Sequence, residues 1–320
     1  MKVIILGVVT LLASSVLLAQ TAGEPSVRRI DADPANGFSY AYYLYVPDEI
    51  RVTTGSKAIR SLLVIPNNTG SINDDINVHD ADVKRKIVQI GPMLASKSVA
   101  VPVLVPVFPR PATEHRIYTH SLDRDTMTTD RKEFARFDLQ LLAMMADARK
   151  RLENEGIITE KRVLMQGYSA SGMFVNRFVF LHPDAVKAAI VGAPGGWPIA
   201  PVADYRKKKL TFPAGIADLK EVSGKQFDLK AVKKVPLFMI LGGEDSNDAV
   251  PMGDAYDPRE SRLVIDLFGR TPVERFPSAE KLYRQAGLNA KFKLYPGTGH
   301  KMSAEMTNDQ IAFIKKYALP

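Results

Sequence analysis

The chain has 320 residues, the length of one α/β domain with modest insertions, and its 46% hydrophobic and 24% charged residues give the composition of a globular protein. The sequence contains no cysteine, which excludes disulfides, thiolate metal ligands and a cysteine nucleophile. The net charge is +8, but the Lys and Arg residues are dispersed and do not alternate with aromatic residues in a stripe, so we expect no nucleic-acid partner.

The N-terminal residues predict an export signal. A positive start at Lys2 precedes an uncharged apolar run from Val3 to Leu18, and small or polar residues follow it. The run is shorter than the roughly 20 residues that span a bilayer, so it is typical of a cleaved signal peptide and not of a membrane anchor. We therefore predict a signal peptide over residues 1–22, a single domain over residues 23–320, no integral membrane span after cleavage, and a periplasmic or secreted protein.

Seven segments predict strands, because they are short, apolar or aromatic, and bounded by turn-forming residues: 38–46, 61–66, 99–108, 163–165, 186–191, 235–241 and 290–295. Helical periodicity occupies five other segments: 80–96, 131–156, 173–181, 278–286 and 309–317. Strands that alternate with helices predict an α/β protein with a mostly parallel twisted sheet and helices on both faces.

One interval breaks this alternation. Residues 195–234 are rich in Pro, Gly and Lys and have weak periodicity, and they separate the sixth predicted strand from the seventh. We interpret this interval as an insertion that covers an active site. Its Trp197 supplies apolar surface suited to an acyl chain or an aromatic ring, so we predict that Trp197 lines a substrate pocket.

The nucleophile candidate is Ser169, in the segment Gly-Tyr-Ser-Ala-Ser-Gly. This segment follows an apolar strand and precedes a helix, which is the context of a strained turn that exposes a serine hydroxyl. Gly167 and Ser171 are small, as the close approach of strand and helix requires. Ser171 is the other candidate hydroxyl, but it lies at the helix start, where we expect it to cap the backbone.

A serine hydroxyl needs a base, and the chain offers five histidines. His300 lies in Pro-Gly-Thr-Gly-His, directly after the last strand, and is the predicted base. His182 lies in a helix-ending turn and is expected to be structural. His115 and His120 lie in a polar loop that could line a pocket, and His79 is expected at the surface.

The third member must be an acid that orients the imidazole. The strand over 235–241 leads into Gly-Gly-Glu-Asp-Ser-Asn-Asp, where Asp245 is the best candidate. Asp248 and Glu244 remain alternatives, and any of the three could instead cap the next segment.

The residues from about 38 to 320 resemble the α/β-hydrolase superfamily, in which the chain order is nucleophile, acid, histidine. The Gly-Tyr-Ser-Ala-Ser-Gly and Pro-Gly-Thr-Gly-His segments resemble those of secreted bacterial esterases similar to feruloyl esterases and polyester depolymerases. The resemblance implies hydrolysis through an acyl-enzyme. It also implies an oxyanion hole from the backbone amide of Ala170 and an amide of the loop over residues 67–69, where we choose Asn68. The family commonly has His-Gly where this chain has Pro66 and Asn67, and a proline has no N–H to donate.

We therefore expect a carboxylic ester hydrolase that acts on a small molecule or a polymer, with no cofactor. The histidine spacings of zinc peptidases and the glycine-rich signatures of nucleotide sites do not occur, so no metal site is predicted. Two alternatives stay open: a peptidase or amidase with the same triad, and a non-catalytic binding protein that keeps the fold.

Overall fold

The computed structural model describes residues 26–52, 59–68 and 70–318. The predicted signal peptide, residues 1–22, lies outside the described residues. Within the described part of the chain, no helix combines the length and the apolar character that a membrane span requires.

The centre of the fold is an eight-stranded mixed sheet. The strands of the chain are β1 (Val27–Ile30), β2 (Tyr42–Tyr45), β3 (Leu63–Val64), β4 (Val103–Pro106), β5 (Val163–Tyr168), β6 (Val186–Gly192), β7 (Asp204–Tyr205), β8 (Lys208–Lys209), β9 (Leu237–Gly242) and β10 (Ala290–Tyr295). Their order in the sheet is β1-β2-β4-β3-β5-β6-β9-β10, and β7 pairs with β8 in a separate hairpin. β1 and β2 run antiparallel to their neighbours, whereas the strands from β4 to β10 in this order are parallel.

Helices cover both faces of the sheet. They are α1 (Asp48–Val52), α2 (Ile76–Ser96), α3 (Arg124–Thr128), α4 (Phe137–Asn154), α5 (Ala170–Leu181), α6 (Leu219–Ser223), α7 (Leu229–Val232), α8 (Pro258–Phe268), α9 (Pro272–Gln285) and α10 (Ala304–Ala318). α2 and α10 contribute to the core on one face, and α4, α5 and α9 contribute to the core on the other. The mostly parallel sheet with helices on both faces confirms the predicted fold class.

The parallel register brings the carboxyl ends of four strands to one edge of the sheet. Tyr168 at the end of β5 pairs with Gly192 at the end of β6, and Tyr295 at the end of β10 pairs with Gly242 at the end of β9. In open α/β sheets ligands bind beyond the carboxyl ends of the strands. The loops that follow β5, β9 and β10 therefore meet where such a ligand would bind.

The interval over residues 195–234 is folded against the domain. It contains β7, β8, α6 and α7, and its Trp197, Leu210 and Phe212 are fully buried. The ring of Trp197 stacks on Phe268 of α8, with ring centroids 4.0 Å apart. These contacts form a third apolar cluster, which joins the interval to α8.

Candidate active site

Ser169 occupies a strained turn between β5 and α5. Its φ is +61° and its ψ is −126°, a conformation that costs a non-glycine residue roughly 1–3 kcal/mol. Strand and helix approach so closely here that a Cβ on Gly167 would collide with the carbonyl of Ser171, and one on Gly172 with the carbonyl of Gly192. This approach therefore requires glycine at positions 167 and 172.

The two serines of the turn have different environments. The Ser171 hydroxyl accepts from the Tyr168 N–H at 3.0 Å and donates to the Tyr168 carbonyl at 2.9 Å, so it caps the turn as the sequence predicts. The Ser169 side chain makes no capping bond and borders a cavity. The geometry leaves the half-buried Ser169, at the cavity wall, as the nucleophile candidate.

Asp245 and His300 form a direct pair. Nδ1 of His300 lies 2.9 Å from Oδ2 and 3.1 Å from Oδ1 of Asp245, whose side chain is almost completely buried. Since an ionised carboxylate only accepts hydrogen bonds, Nδ1 carries the proton of this bond. The arrangement leaves Nε2 of His300 as the nitrogen that can act as a base.

The other two acidic candidates have different surroundings. Asp248 binds the fully buried guanidinium of Arg275, with Oδ1 2.9 Å from Nη1 and a second bond from Nη2. Its Oδ1 also accepts from the Val250 N–H at 3.0 Å. Glu244 is exposed to solvent. Asp248 therefore neutralises a buried cation, and Asp245 is the carboxylate that contacts the histidine.

Backbone bonds join the acid loop to the histidine loop. The Gly243 N–H donates to the Tyr295 carbonyl at 2.7 Å, and the Glu244 N–H donates to the Thr298 carbonyl at 2.9 Å. A side chain on Gly242 would collide with the carbonyl of Thr298, so this contact requires glycine. The relative position of Asp245 and His300 is thus fixed by main-chain bonds between the residues that precede each of them.

The two predicted oxyanion donors border the same cavity as Ser169. Ala170 is the first residue of α5, so its N–H has no acceptor within the helix. Among the described residues, none accepts a hydrogen bond from the backbone N–H of Asn68. Within the described part of the chain, neither amide has an acceptor, and both border the cavity.

Asn67 fixes the segment that carries Asn68. Its Nδ2 donates to the Phe108 carbonyl at 2.9 Å, and its Oδ1 accepts from the Phe108 N–H at 3.0 Å. His120, which is fully buried, lies 3.1 Å from the same Nδ2. Burial lowers the pKa of His120 to about 3, so the imidazole is neutral in this network. Asn67 thus joins the segment after β3 to the segment after β4.

A cavity of about 620 Å³ connects these groups. Its lining includes the predicted residues Asn68, Ser169, Ala170 and His300. The wall also contains residues that sequence reasoning missed, namely Ile72, Arg110, Tyr118, Tyr168, Met173, Asn247, Ala249, Met252 and Asp254. Of these, Asn247 could have been found from the sequence, because it lies in the Gly-Gly-Glu-Asp-Ser-Asn-Asp segment that contains Asp245.

Trp197 does not line this cavity, and its prediction as a pocket residue is wrong. Its side chain is buried behind the wall, where Nε1 donates to the Ala214 carbonyl at 2.9 Å. Its own carbonyl accepts from the Tyr256 hydroxyl at 2.7 Å. The apolar ring removes more surface from water when stacked on Phe268 than it would at a solvent-filled cavity.

The charges of the cavity wall include one ion pair. Nη2 of Arg110 lies 3.0 Å from Oδ2 of Asp254, and the guanidinium carbon lies 3.9 Å above the ring of Tyr118. Burial, together with the charge of Asp245, raises the pKa of Tyr168 to about 12. Tyr168 is therefore a neutral phenol beside the His300 ring at physiological pH.

The remaining histidines lie elsewhere. His182 bonds to Asp138 at 2.8 Å, which gives it a structural contact, and His115 is exposed. His79 is buried, so its prediction as a surface residue is wrong. Among the described residues, no group of three or more His, Cys, Asp or Glu side chains is arranged to hold a metal ion.

Solved structures share this architecture. Poly(aspartic acid) hydrolase-1 from Sphingomonas sp. KT-1 matches with a TM-score of 0.58 and 19% identity, over 91% of this chain and 99% of that chain. A poly(3-hydroxybutyrate) depolymerase from Bordetella parapertussis matches with a TM-score of 0.53 and 17% identity, over 88% of this chain and 87% of that chain. The chain has the α/β-hydrolase fold.

A ferulic acid esterase shares the α/β-hydrolase fold as well, with a TM-score of 0.50 and 13% identity over 91% of this chain and 98% of that chain. Neither a protein-family model nor a curated protein sequence matches the chain. In the α/β-hydrolase fold, nucleophile, acid and histidine follow one another along the chain in the order in which Ser169, Asp245 and His300 occur here.

Proposed function

We propose that this chain is a serine hydrolase that cleaves carboxylic esters through an acyl-enzyme on Ser169. The observation that carries the proposal is the 2.9 Å bond between Asp245 and Nδ1 of His300, in a site where a strained Ser169 borders the same cavity as His300. A carboxylate that fixes the histidine tautomer near a serine hydroxyl at a cavity wall is the arrangement that activates a hydroxyl nucleophile.

In the acylation half-reaction Ser169 is the nucleophile, and His300 is first a base and then an acid. The Ser169 oxygen attacks the ester carbonyl carbon while Nε2 of His300 accepts the hydroxyl proton, and the carbonyl π electrons move to the oxygen. The resulting imidazolium is stabilised by Asp245. When the tetrahedral intermediate collapses, the bond to the alcohol oxygen breaks, and His300 passes its proton to that oxygen.

The backbone amides of Ala170 and Asn68 are proposed to bind the oxyanion. Neither is used by a described backbone acceptor, and both border the cavity. Loss of one such donor costs serine hydrolases about 3 kcal/mol in the barrier. In deacylation a water molecule repeats the cycle: His300 accepts its proton, the water oxygen attacks the acyl carbon, and Ser169 leaves with the proton returned by His300.

The substrate class is proposed from the comparisons. Two of the solved structures with this fold are described as a ferulic acid esterase and a poly(3-hydroxybutyrate) depolymerase, which favours an ester-containing small molecule or polymer. The likeness to a poly(aspartic acid) hydrolase favours a second candidate, amide hydrolysis by the same triad. We also propose that the protein is exported to the periplasm or secreted, by the signal peptide predicted over residues 1–22.

A matched substrate panel tests the proposal. Nitrophenyl esters of increasing acyl length and the corresponding nitroanilides are assayed with the wild-type protein and with Ser169→Ala. We expect hydrolysis of esters with a kcat/KM at least 100-fold above that for the anilide of the same acyl group, and loss of both activities in Ser169→Ala. Faster anilide cleavage would favour the second candidate, and no hydrolysis of either series would favour a non-catalytic protein.

A further inference from the structure

Both ring nitrogens of His300 have polar partners. Nδ1 faces Asp245, and Nε2 lies 2.9 Å from Nδ2 of Asn247. The backbone N–H of Asn247 in turn donates to Oδ1 of Asp245 at 2.9 Å. The three residues therefore form a closed set of hydrogen bonds, in which Asn247 contacts both the acid and the base.

The position of the proton on His300 determines the direction of the hydrogen bond with Asn247. Because Nδ1 carries the proton of the bond to Asp245, Nε2 of the neutral ring has a free lone pair. The side-chain N–H of Asn247 donates to that lone pair. It is the same lone pair that the mechanism of the proposed function requires for the proton of Ser169.

No hydrogen bond joins the Ser169 hydroxyl to His300 in the described residues, although both side chains border the cavity. We propose that Asn247 holds the site in a resting arrangement, in which its side-chain amide occupies Nε2 of His300, and that a bound ester displaces this amide so that Ser169 can bond to Nε2. This inference rests on the proposed serine-hydrolase function and adds a positioning residue to it.

The location of Asn247 permits this displacement. Asn247 is exposed to solvent and lines the cavity, so a ligand that fills the cavity meets its side chain. Rotation about its χ1 releases Nε2 while the backbone bond to Asp245 stays intact. Asp245 and His300 therefore need not move when the amide leaves.

A donor bonded to Nε2 favours the neutral ring over the imidazolium, because only the neutral ring has a lone pair to accept it. Among the described residues, the titratable groups with a hydrogen bond or ring contact to His300 are Asp245, from the loop after β9, and Tyr168, at the end of β5. Arg110 and Asp254 are the charged pair of the same cavity. Removing the amide leaves these groups in place, so a change in the pH profile reports on Asn247 itself.

The experiment measures the second-order rate constant for phosphonylation by a fluorophosphonate probe between pH 5 and pH 9. Asn247→Ala is compared with the wild type, and Ser246→Ala, an exposed neighbour in the same loop, serves as the control. We expect Asn247→Ala to raise the plateau rate about three- to ten-fold, the range that one net hydrogen bond represents, and to move the acidic limb to higher pH. Ser246→Ala should match the wild type in both respects.

Asn247→Asp provides a second variant of the same size without a donor. We expect its acidic limb to lie at higher pH than that of Asn247→Ala, because a carboxylate beside Nε2 stabilises the imidazolium. A plateau rate that falls in Asn247→Ala, or a rate and a limb that do not change in either variant, would overturn the inference. Ser169→Ala is assayed in parallel: if it still reacts with the probe, the proposed function itself fails, whereas a failure confined to Asn247 leaves that function standing.

Discussion

The carboxylate of Asp248 is bonded to the buried guanidinium of Arg275. Asp248 lies only three residues after Asp245, whose carboxylate contacts His300. The two acids of one loop therefore have separate tasks, and their variants should fail in different ways. Asp245→Asn should lower kcat by roughly 10⁴-fold through a wrong histidine tautomer, while its thermal stability stays near that of the wild type.

Asp248→Asn should show the opposite pattern, with most of kcat kept per folded molecule. The free energy of unfolding should fall by roughly 3 kcal/mol, because Arg275 would keep its buried charge without a full counter-charge. Ester hydrolysis and urea unfolding of both variants make the comparison. If Asp248→Asn lost more activity than Asp245→Asn, the acid would be Asp248.

The hydrogen bonds of Asn67 hold the segment that carries Asn68, so loss of Asn67 should lower activity. Asn67→Ala removes both contacts with Phe108, so the segment that carries Asn68 should shift away from the oxyanion position. We expect kcat to fall roughly 10- to 1000-fold, with the upper value equal to complete loss of one oxyanion donor, and KM to change little. Asn77→Ala, on the exposed surface of α2, is the control. Unchanged kcat in a folded Asn67→Ala protein would argue against an oxyanion role for this segment.

Trp197 is expected to act on stability and not on specificity. Trp197→Ala removes the ring stacked on Phe268 and leaves a void, which costs roughly 3–5 kcal/mol in the free energy of unfolding. Below the unfolding temperature, the ratio of kcat/KM between short and bulky esters should match that of the wild type. A change of tenfold or more in the ratio of kcat/KM between short and bulky esters would indicate that Trp197 contacts the substrate.

Glu260 predicts a pH dependence of stability. Burial, followed by the charge of Asp257, raises its pKa from 4.5 to about 7 despite the ion pair with Arg124. Below pH 4.5 the group is protonated in both states. As pH rises from 4.5 to about 7, the unfolded state ionises first, so the free energy of unfolding falls by about 3 kcal/mol. Above pH 7 the loss is complete.

Glu260→Gln keeps a neutral side chain of the same size at every pH. Its free energy of unfolding should therefore decline less than that of the wild type between pH 4.5 and 7.5. Chemical denaturation at several pH values measures both slopes. Parallel curves for the two proteins would show that Glu260 ionises alike in the folded and unfolded states.

The positions of the buried strands along the chain were predictable from the sequence, because central parallel strands form apolar runs. β10 occupies the predicted residues 290–295, and β9 lies within one or two residues of the predicted 235–241. The helix α8 was missed because charged residues are dense in Pro258–Phe268, although Asp257 and Glu260 form a capping box at its start. α9 begins at Pro272 and not at residue 278, since a proline in the first turn loses no helical bond.

The candidate triad was predictable because each member directly follows a strand, and strand ends meet at one edge of a parallel sheet. The preference for Asp245 over Asp248 rested only on distance from the strand end, because the partner that occupies Asp248 is Arg275, which lies 27 residues further along the chain. The part of the cavity wall at Met252 and Asp254 was missed because the path of the loop that carries these residues has no periodic sequence pattern. Trp197 was misassigned because an aromatic residue in an irregular segment has the same sequence pattern whether it is buried or lines a pocket.

The central claim is that Ser169 is the nucleophile, and the most direct measurement locates a covalent adduct. The wild-type protein is treated with a fluorophosphonate, digested and analysed by tandem mass spectrometry, alongside Ser169→Ala and Ser171→Ala. We predict one phosphonyl group on Ser169, no adduct and a roughly 10⁴- to 10⁶-fold lower kcat in Ser169→Ala, and labelling with most of the activity kept in Ser171→Ala. An adduct on Ser171, or full ester hydrolysis by Ser169→Ala, would contradict the account.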